Sequence, residues 1–189
     1  MLIIVGLDNK YVNPYLSKGV LTLEILLKTL EARDWDALRE IYLEGLATGE
    51  ATFETTAPNE DEWDDGHLRF GRIGAYEIPN ERLIGWAALS GVSKRQAYVG
   101  VAEVSVYVAA ATRGKAVGRA LLQALILESE SNGIWTLQAN IFPENLASLS
   151  LHESLGFRTV GQRERISKLN GVWRNTVILE RRSKVVGTD

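Results

Sequence analysis

The chain has 189 residues, which is enough for one domain with a substantial core and too few for two to be expected. Apolar residues make up 46% and charged residues 24% of the chain, as in ordinary soluble globular proteins, and the net charge of −3 argues against a general nucleic-acid-binding surface. The absence of cysteine excludes disulfides, cysteine nucleophiles and thiolate metal sites, and with only two histidines no metal centre is expected.

The first 22 residues differ in character from the remainder. Residues 1–7 are apolar but far too short to span a membrane, and no basic segment precedes them. Residues 8–19 contain Asn, Pro, Ser and Gly without a period, which is typical of irregular structure. We interpret residues 1–22 as an N-terminal extension of uncertain structure, and we expect a cytoplasmic protein that does not interact with membranes.

The chain from residue 23 to residue 108 predicts two helices and four strands. A helix is predicted over residues 35–47, because apolar residues recur at helical spacing from Leu38 onward and Asp34 can cap the N-terminus. A second helix is predicted over residues 61–71. Strands are predicted over residues 24–30, 73–78, 83–90 and 98–108, with a turn at Pro79 and Asn80.

Beyond residue 108, helices and strands alternate before a final hairpin. Helices are predicted over residues 117–131 and 146–155, the second ending at Gly156, with a strand over residues 135–141 between them. Asn170 and Gly171 indicate a hairpin turn between strands at residues 159–169 and 172–180. Residues 183–189 are expected to form a frayed tail. The order predicts an α/β fold in which a mixed, mostly antiparallel sheet of six to seven strands, flanked by about four helices, occupies residues 23–182.

The most informative segment is residues 103–120. A short buried strand leads into a glycine-bearing turn and then into a helix, so that several backbone N–H groups and the positive end of the helix dipole converge. Arg113, Lys115 and Arg119 add positive charge at the same place. The segment is neither a P-loop nor a dinucleotide fingerprint. It predicts a site for a phosphate-bearing cofactor; the alternative is an ordinary turn with solvated basic residues.

The spacing of Arg113, Ala116 and Gly118 resembles the Gln/Arg-x-x-Gly-x-Gly/Ala signature of the GNAT acetyltransferase superfamily, in which this turn holds the pyrophosphate of acetyl-CoA. Ala116 stands where the signature has its first glycine. Because φ is negative in the first turn of a helix, we expect alanine to cause little strain there. At Gly118 we expect a bulky side chain to enter the phosphate site.

A second motif follows about 30 residues later along the chain. Asn145, Ser148 and His152 are spaced to lie on one face of the short helix. From these residues alone, Asn145 could equally be a helix cap and His152 a partly buried polar residue. The segment from Asn145 to Phe157 resembles the second GNAT motif, Asn-x-x-Ser/Ala…Tyr-x-x-x-Gly-Phe. In that motif the asparagine contacts the pantetheine arm, and the tyrosine, replaced here by His152, protonates the departing thiolate.

A narrower resemblance covers about residues 23–180. The segments that carry it resemble the phosphinothricin and methionine sulfoximine N-acetyltransferase family, and they are residues 50–55, 62–63, 95–98, 103–108 and 151–153. Histidine at position 152 is itself a mark of that family, as is the turn from Gly171 to Asn175. The family usually has aspartate where Asn175 stands, so no role that requires a charge is expected of this residue.

The resemblance implies roles for individual residues. Glu103 is implied as general base for the substrate ammonium, through water and with His152 nearby, and a carboxylate near the end of a buried strand suits that task. Arg95 and Tyr98 are implied to bind acidic groups of the substrate, in a pocket also lined by Phe53 and Glu54. From the residues alone, Glu103 could instead pair with Arg95, and Tyr98 and Phe53 could belong to the core. Cofactor contacts are implied for Val106, Tyr107, Val108, Arg113, Gly114, Lys115, Ala116, Val117, Gly118, Arg119, Asn145 and Ser148.

The resemblance therefore implies an acetyl-CoA-dependent N-acetyltransferase. The acetyl group would pass directly, within a ternary complex, to the α-amino group of a small amino acid with a tetrahedral polar side chain, such as phosphinothricin, methionine sulfoximine or methionine sulfone. The alternatives are another small amine or a protein N-terminus as substrate, and a non-catalytic CoA-binding domain. No metal and no nucleic-acid partner are expected. A homodimer is implied, with Trp173 either at its interface or capping its own core, and His67 is expected to be exposed.

Overall fold

The computed structural model describes residues 10–11 and 23–188. The strands are β1 (Lys10–Tyr11), β2 (Ile25–Thr29), β3 (Ile73–Glu77), β4 (Arg82–Gly91), β5 (Val101–Val108), β6 (Thr136–Ile141), β7 (Arg158–Leu169) and β8 (Val172–Arg182). The helices are α1 (Trp35–Leu46), α2 (Glu60–Gly66), α3 (Val117–Ser131) and α4 (Leu146–Ser154). The strands form one sheet in the order β1-β2-β3-β4-β5-β6-β8-β7, antiparallel at every pair except β5–β6. The predicted mixed, mostly antiparallel α/β sheet with four helices is confirmed.

The two faces of the sheet are covered by different helices. On one face, α3 inserts Leu121 and Leu125 into a core that includes Ile84 of β4, and apolar residues of α4 pack at its margin. On the other face, α1 and α2 cover a second core built around Trp63 and Trp86. Burial of these apolar side chains is the main force holding the layers together. The sheet therefore supports the loops and strand ends that carry functional groups.

Two local predictions were wrong at helix ends. Asp34 does not cap α1 with its side chain, because residues 32–34 form a 3-10 turn that runs directly into the helix. The Asp34 carboxylate instead accepts hydrogen bonds from the Glu31 N–H, at 2.8 Å, and from the Tyr76 hydroxyl, at 2.7 Å. Helix α2 ends at Gly66, earlier than predicted, since His67 already has an extended backbone with φ −120° and ψ 149°.

His67 is also less exposed than expected. Its ring stacks on Trp63 with centroids 4.4 Å apart and meets Trp86 edge-on at 6.4 Å. Burial lowers the pKa of His67, partly offset by a hydrogen bond between Nδ1 and the Trp63 carbonyl oxygen. His67 is therefore a neutral member of the aromatic core at neutral pH.

The two ends of the chain lie outside the predicted domain. In the extension, β1 pairs antiparallel with β2, and the remainder of residues 1–22 lies outside the described residues. At the other end, residues 183–188 hydrogen-bond with α3 and with the end of β8, and fraying of this tail stays a prediction. The buried Ser183 hydroxyl donates to the Glu130 carboxylate at 2.9 Å, and the Arg182 guanidinium donates to the Val186 carbonyl oxygen at 2.8 Å. In residues 10–11 and 23–188, no helix is both long and apolar enough to cross a bilayer.

Candidate active site

The site is created by two parallel strands that separate. Strands β5 and β6 are paired only from Val101 to Glu103, opposite Thr136 to Gln138. Strand β5 continues to Val108 with β4 as its partner on the other side. Because backbone N–H and C=O groups require partners, the edge of β5 beyond Glu103 is open to an extended ligand. A cleft of about 870 Å³ occupies this opening.

The cleft has two sides with different chemistry. One side is formed by β5, the turn before α3 and the first residues of α3, and it contains every residue predicted to hold the cofactor from Val106 to Arg119 except Lys115. The other side is formed by the end of β6, by α4 and by the loop that follows α1, with Asn145, Ser148, His152, Phe53 and Glu54 among its lining residues. Glu103 lies in the floor, where β5 and β6 part.

The N-terminus of α3 is available for an anion. The helix has no side-chain cap, and its backbone hydrogen bonding begins with the Ala120 N–H, which donates to the Ala116 carbonyl oxygen at 3.1 Å. The N–H groups of the first turn lack intrahelical partners by the geometry of any α-helix. The Arg119 guanidinium donates to the Ser154 hydroxyl at 2.8 Å, which places its charge at the cleft margin. The arrangement can bind a phosphate through backbone amides and the helix dipole.

Of the two signature positions, Ala116 differs from expectation and Gly118 lies in a close helix contact. Ala116 has φ +61° and ψ +9°, a left-handed conformation, so the expectation of little strain was wrong. The residue lies just before the helix, where the chain reverses direction, and not within its first turn. A Cβ added to Gly118 would meet Leu151 at 3.3 Å and Val108 at 3.5 Å. The missing side chain thus lets α3 approach α4 and β5, and entry of a bulky side chain into the phosphate site stays a prediction.

Helix α4 presents Asn145 and His152 to the cleft. The Asn145 amide oxygen accepts from the Ser148 N–H at 3.0 Å, so the residue is indeed a helix cap, and its amide nitrogen donates to the Glu50 carbonyl oxygen at 3.2 Å. At the C-terminus, the Phe157 N–H donates to the His152 carbonyl oxygen and Gly156 adopts φ +87°, as predicted for a glycine-terminated helix. Helix α4 is therefore anchored at both ends.

The His152 ring has one nitrogen in use and one free. Nδ1 lies 2.8 Å from the Ser148 carbonyl oxygen, which can only accept, so Nδ1 carries the proton. Nε2 is buried and has no hydrogen-bond partner among the described residues. Burial lowers the pKa of His152, partly offset by the bond to Ser148. At neutral pH the ring is therefore neutral, and Nε2 offers a lone pair that can accept a proton.

Aromatic side chains surround Tyr107 of β5, which lines the cleft. Its ring stacks on Trp86 with centroids 4.6 Å apart and meets Tyr42 at 4.9 Å. Burial raises the pKa of Tyr107 far above its usual range, and the neighbouring Tyr42 phenol raises it further. Gly45 of α1 permits this packing, because a Cβ there would lie 2.7 Å from the Tyr107 ring. Tyr107 thus remains a neutral phenol, and no sequence pattern indicated that its side chain stacks in an aromatic cluster.

Further lining residues were not anticipated from the sequence. Ser105 lies between Glu103 and Tyr107 on β5 and shares their face, a placement that strand alternation could have indicated. Thr176 of β8 lines the cleft with a buried hydroxyl that has no hydrogen-bond partner in the part of the chain that the structure describes. No sequence pattern pointed to Thr176, because its position depends on the pairing of β8 with β6.

The structure does not bring Arg95 and Tyr98 into the main cleft. Tyr98 belongs to a 3-10 turn that precedes β5, contrary to the predicted strand, and the Arg95 guanidinium lies over its ring at 5.5 Å. They line a separate cavity of about 440 Å³, together with Val92, Ser93, Val101, Thr136 and Gln138. No ion pair joins Arg95 to Glu103 in the described part of the chain. Gln138 of this cavity is paired in register with Glu103 of the cleft, so the two cavities adjoin across β5 and β6.

Two remaining expectations concern Asn175 and metals. Asn175 does not line the cleft; its side-chain oxygen accepts from the Arg165 N–H at 2.8 Å and supports an irregularity in β7 where Arg165 has φ +48°. Within residues 10–11 and 23–188, no group of three or more His, Cys, Asp or Glu residues is placed to hold a metal ion. That the reaction needs no metal stays a prediction.

Comparison with known proteins finds relatives over most of the chain. Residues 27–178 match a family described as an acetyltransferase (GNAT) domain. The chain is 34% identical over 152 residues to the phosphinothricin N-acetyltransferase of Alcaligenes faecalis, covering 78% of this chain and 77% of that protein. It is 30% identical over 152 residues to the L-methionine sulfoximine/L-methionine sulfone acetyltransferase of Pseudomonas paraeruginosa, covering 78% and 88%. A solved phosphinothricin acetyltransferase from Sinorhizobium meliloti, in complex with acetyl-CoA, superposes with a TM-score of 0.74 at 28% identity, covering 87% of this chain and 96% of that one.

Proposed function

The chain belongs to the GNAT acetyltransferase family, and on that premise we propose that it transfers acetyl from acetyl-CoA to the α-amino group of a small amino acid whose side chain ends in a tetrahedral polar group. The observation that carries the proposal is the continuity of one cleft, which joins a helix N-terminus, a free strand edge and the Glu103 carboxylate. Acetyl-CoA supplies the activated acetyl group. The chain supplies binding, orientation and proton transfer.

Successive segments along the cofactor side of the cleft match successive parts of the acetyl-CoA molecule. Backbone amides from Gly114 to Arg119 fit the pyrophosphate, because they converge at the N-terminus of α3. The open edge of β5, from Val106 to Val108, fits the amide groups of the pantetheine arm, which can pair with it as an added strand would. Asn145 has one amide hydrogen left after its two observed bonds, and it can serve the same arm.

The proton transfers fall to Glu103 and His152. Glu103 takes one proton from the substrate ammonium through water, which frees the nitrogen lone pair to form the C–N bond. His152 accepts the second proton at Nε2 and returns it to the thiolate sulfur after the C–S bond breaks. Glu103 then releases its proton to solvent, so both side chains return to their starting states. The neutral, unpartnered Nε2 suits a group that must first accept a proton.

Substrate selectivity is assigned to the cavity that contains Arg95 and Tyr98. The guanidinium fork and the phenol provide donors for a cluster of oxygens, and an apolar side chain would leave them unpaired. Gln138, which lines this cavity, is paired in register with Glu103 of the cleft. This pairing supports a binding mode in which the substrate amine reaches the cleft while the substrate side chain occupies the cavity. The names of the relatives, which specify phosphinothricin and methionine sulfone, support the same class.

We further propose that the protein is a cytoplasmic homodimer. The hairpin of β7 and β8 exposes Val172 at 63% and Trp173 at 53%, so Trp173 does not cap its own core. The Lys168 ammonium lies over the Trp173 ring at 5.0 Å. An exposed aromatic on a projecting hairpin suits a self-complementary interface. Sedimentation tests this proposal: a mass near the 20.9 kDa of one chain, at micromolar concentration, would contradict it.

The experiment that tests the catalytic proposal measures release of the CoA thiol from acetyl-CoA in the presence of a panel of amines. L-methionine sulfone, L-methionine sulfoximine and phosphinothricin should give rapid release, while L-methionine, a polyamine and a peptide N-terminus should not. Release with only the polyamine or the peptide would support the alternative substrates. No release with any amine, combined with a higher melting temperature in acetyl-CoA, would indicate a binding domain.

A further inference from the structure

One loop, together with α4 and the end of β6, forms one side of the cleft. Residues 48–54 follow α1, and we call them the acceptor loop because six of the seven line the cleft: Thr48, Glu50, Ala51, Thr52, Phe53 and Glu54. The first part of the loop is tied to α1, since the Thr48 hydroxyl donates to the Gly45 carbonyl oxygen at 2.7 Å. Thr52 also hydrogen-bonds with the Tyr42 and Tyr107 side chains, and further contacts to the loop come from β8 and from the segment between β6 and α4.

The Arg174 side chain on β8 contacts the loop from outside the cleft. One terminal nitrogen donates to the Gly49 carbonyl oxygen at 3.3 Å, and the other donates to the Glu144 carboxylate at 3.1 Å. The guanidinium also lies 4.4 Å from the centroid of the Phe142 ring. Only 20% of the side chain is exposed. A planar fork can make these bonds in two directions at once, while a lysine ammonium lacks that geometry.

Two neighbouring contacts also hold the acceptor loop against β6 and α4. The Phe142 ring, beneath Arg174, meets the Phe53 ring of the acceptor loop edge-on with centroids 4.8 Å apart. The Asn145 amide donates to the Glu50 carbonyl oxygen at 3.2 Å. The acceptor loop is thus fastened to the corner between β6 and α4, and Arg174 lies at the centre of the contacts.

We infer that Arg174 is a positioning residue for the acceptor amine: it fixes the acceptor loop so that the wall opposite Glu103 is already formed when the substrate arrives. The inference rests on the proposed function. Ordering a loop in advance lowers the entropy lost on binding, so its benefit is expected in amine affinity. Arg174 does not line the cleft, and acetyl-CoA binding on the α3 side should not depend on it.

The test compares Arg174→Met and Arg174→Lys with Arg158→Met. Methionine preserves much of the volume against Phe142 but removes both hydrogen bonds. Lysine keeps the charge for Glu144 and loses the fork. Arg158 of β7 forms an ion pair with Glu180 of β8 outside the cleft, so its variant controls for loss of an arginine–carboxylate pair in the hairpin that carries Arg174.

Two readouts are needed. Amide hydrogen exchange of residues 48–54 in the free protein should accelerate about tenfold in Arg174→Met, less in Arg174→Lys and not in Arg158→Met. With L-methionine sulfone, KM should rise about fivefold to tenfold in Arg174→Met while kcat changes less than about twofold. The melting-temperature increase in acetyl-CoA should match that of the unmodified protein.

Equal exchange in Arg174→Met and Arg158→Met would overturn the inference, as would a fall in kcat with unchanged KM. Because exchange needs no substrate, a failure of the proposed function is distinguishable from a failure of this inference. The former would appear as no thiol release from any amine in the panel. The latter would appear as amide exchange of the acceptor loop that does not change when Arg174 is replaced.

Discussion

Replacement of Ala116 by glycine should stabilise the free protein, although most glycine substitutions do the opposite. The residue holds φ +61° immediately before α3, where a Cβ is too close to the following carbonyl oxygen. Its side chain is exposed, so little packing is lost when the methyl group is removed. The substitution therefore isolates backbone strain from burial.

The expected magnitude follows from two opposing effects. A non-glycine residue in the left-handed region is destabilised by about 1–2 kcal/mol, which the substitution relieves. Glycine makes the unfolded chain more flexible, which lowers stability by about 0.4–1 kcal/mol. The net gain in the free energy of unfolding is about 0.5–1 kcal/mol, or about 1–4 °C in Tm for a chain of this length.

Thermal unfolding without ligand, followed by calorimetry or circular dichroism, measures this gain. Ala111→Gly is the matched control, because Ala111 is also exposed and close in sequence but lies in a 3-10 turn without a positive φ. It should lose about 0.5–1 kcal/mol, so the two variants should shift in opposite directions. A decrease in Tm for Ala116→Gly equal to that of Ala111→Gly would refute the argument from strain.

Glu103→Gln should lower kcat by about 10²-fold or more, since an amide cannot accept the proton, while the Tm increase in acetyl-CoA is retained; an unchanged kcat would remove Glu103 from the mechanism. The pKa values of His67 and His152 are lowered in the folded state, so the unfolded chain binds more protons in acid. The free energy of unfolding should therefore be highest above the ordinary histidine pKa of about 6.5 and should fall as the pH drops below that value. Urea midpoints at several pH values measure that loss, which should be smaller in His152→Gln; greater stability in acid would contradict the assignment. Arg95→Met should reduce the preference for methionine sulfone over methionine in kcat/KM, and an equal rate reduction for both substrates would separate Arg95 from selectivity.

The sequence was most informative where local pattern and tertiary structure agree. The bounds of α3 were predicted correctly, because its apolar positions recur at helical spacing over 15 residues and it is followed by Asn132 and Gly133. The hairpin at Asn170 and Gly171 was predicted equally well, since both residues adopt the positive φ that this turn requires.

Features that depend on distant residues could not be predicted. Arg174 and Gly49 are 125 positions apart, and no local pattern relates them. The left-handed Ala116 reflects the path of the chain between β5 and α3, which overrides the ordinary preference of alanine. Tyr98 has strong strand propensity but lies in a turn, because its N–H donates to the Arg95 carbonyl oxygen at 2.9 Å. Propensity is a weak guide where such contacts decide.

Strand β7 limits how two copies of this chain could associate. It is an outer strand of the sheet, and a long, regular outer strand invites aggregation by pairing with another chain. Its register with β8 is irregular after Thr159 and again after Arg163, and its exposed residues include Arg163, Arg165 and Lys168. Bulges and positive charges of this kind discourage continuation of a sheet across molecules. Any association through the hairpin should therefore occur through side-chain contacts, without backbone pairing between the sheets of the two molecules.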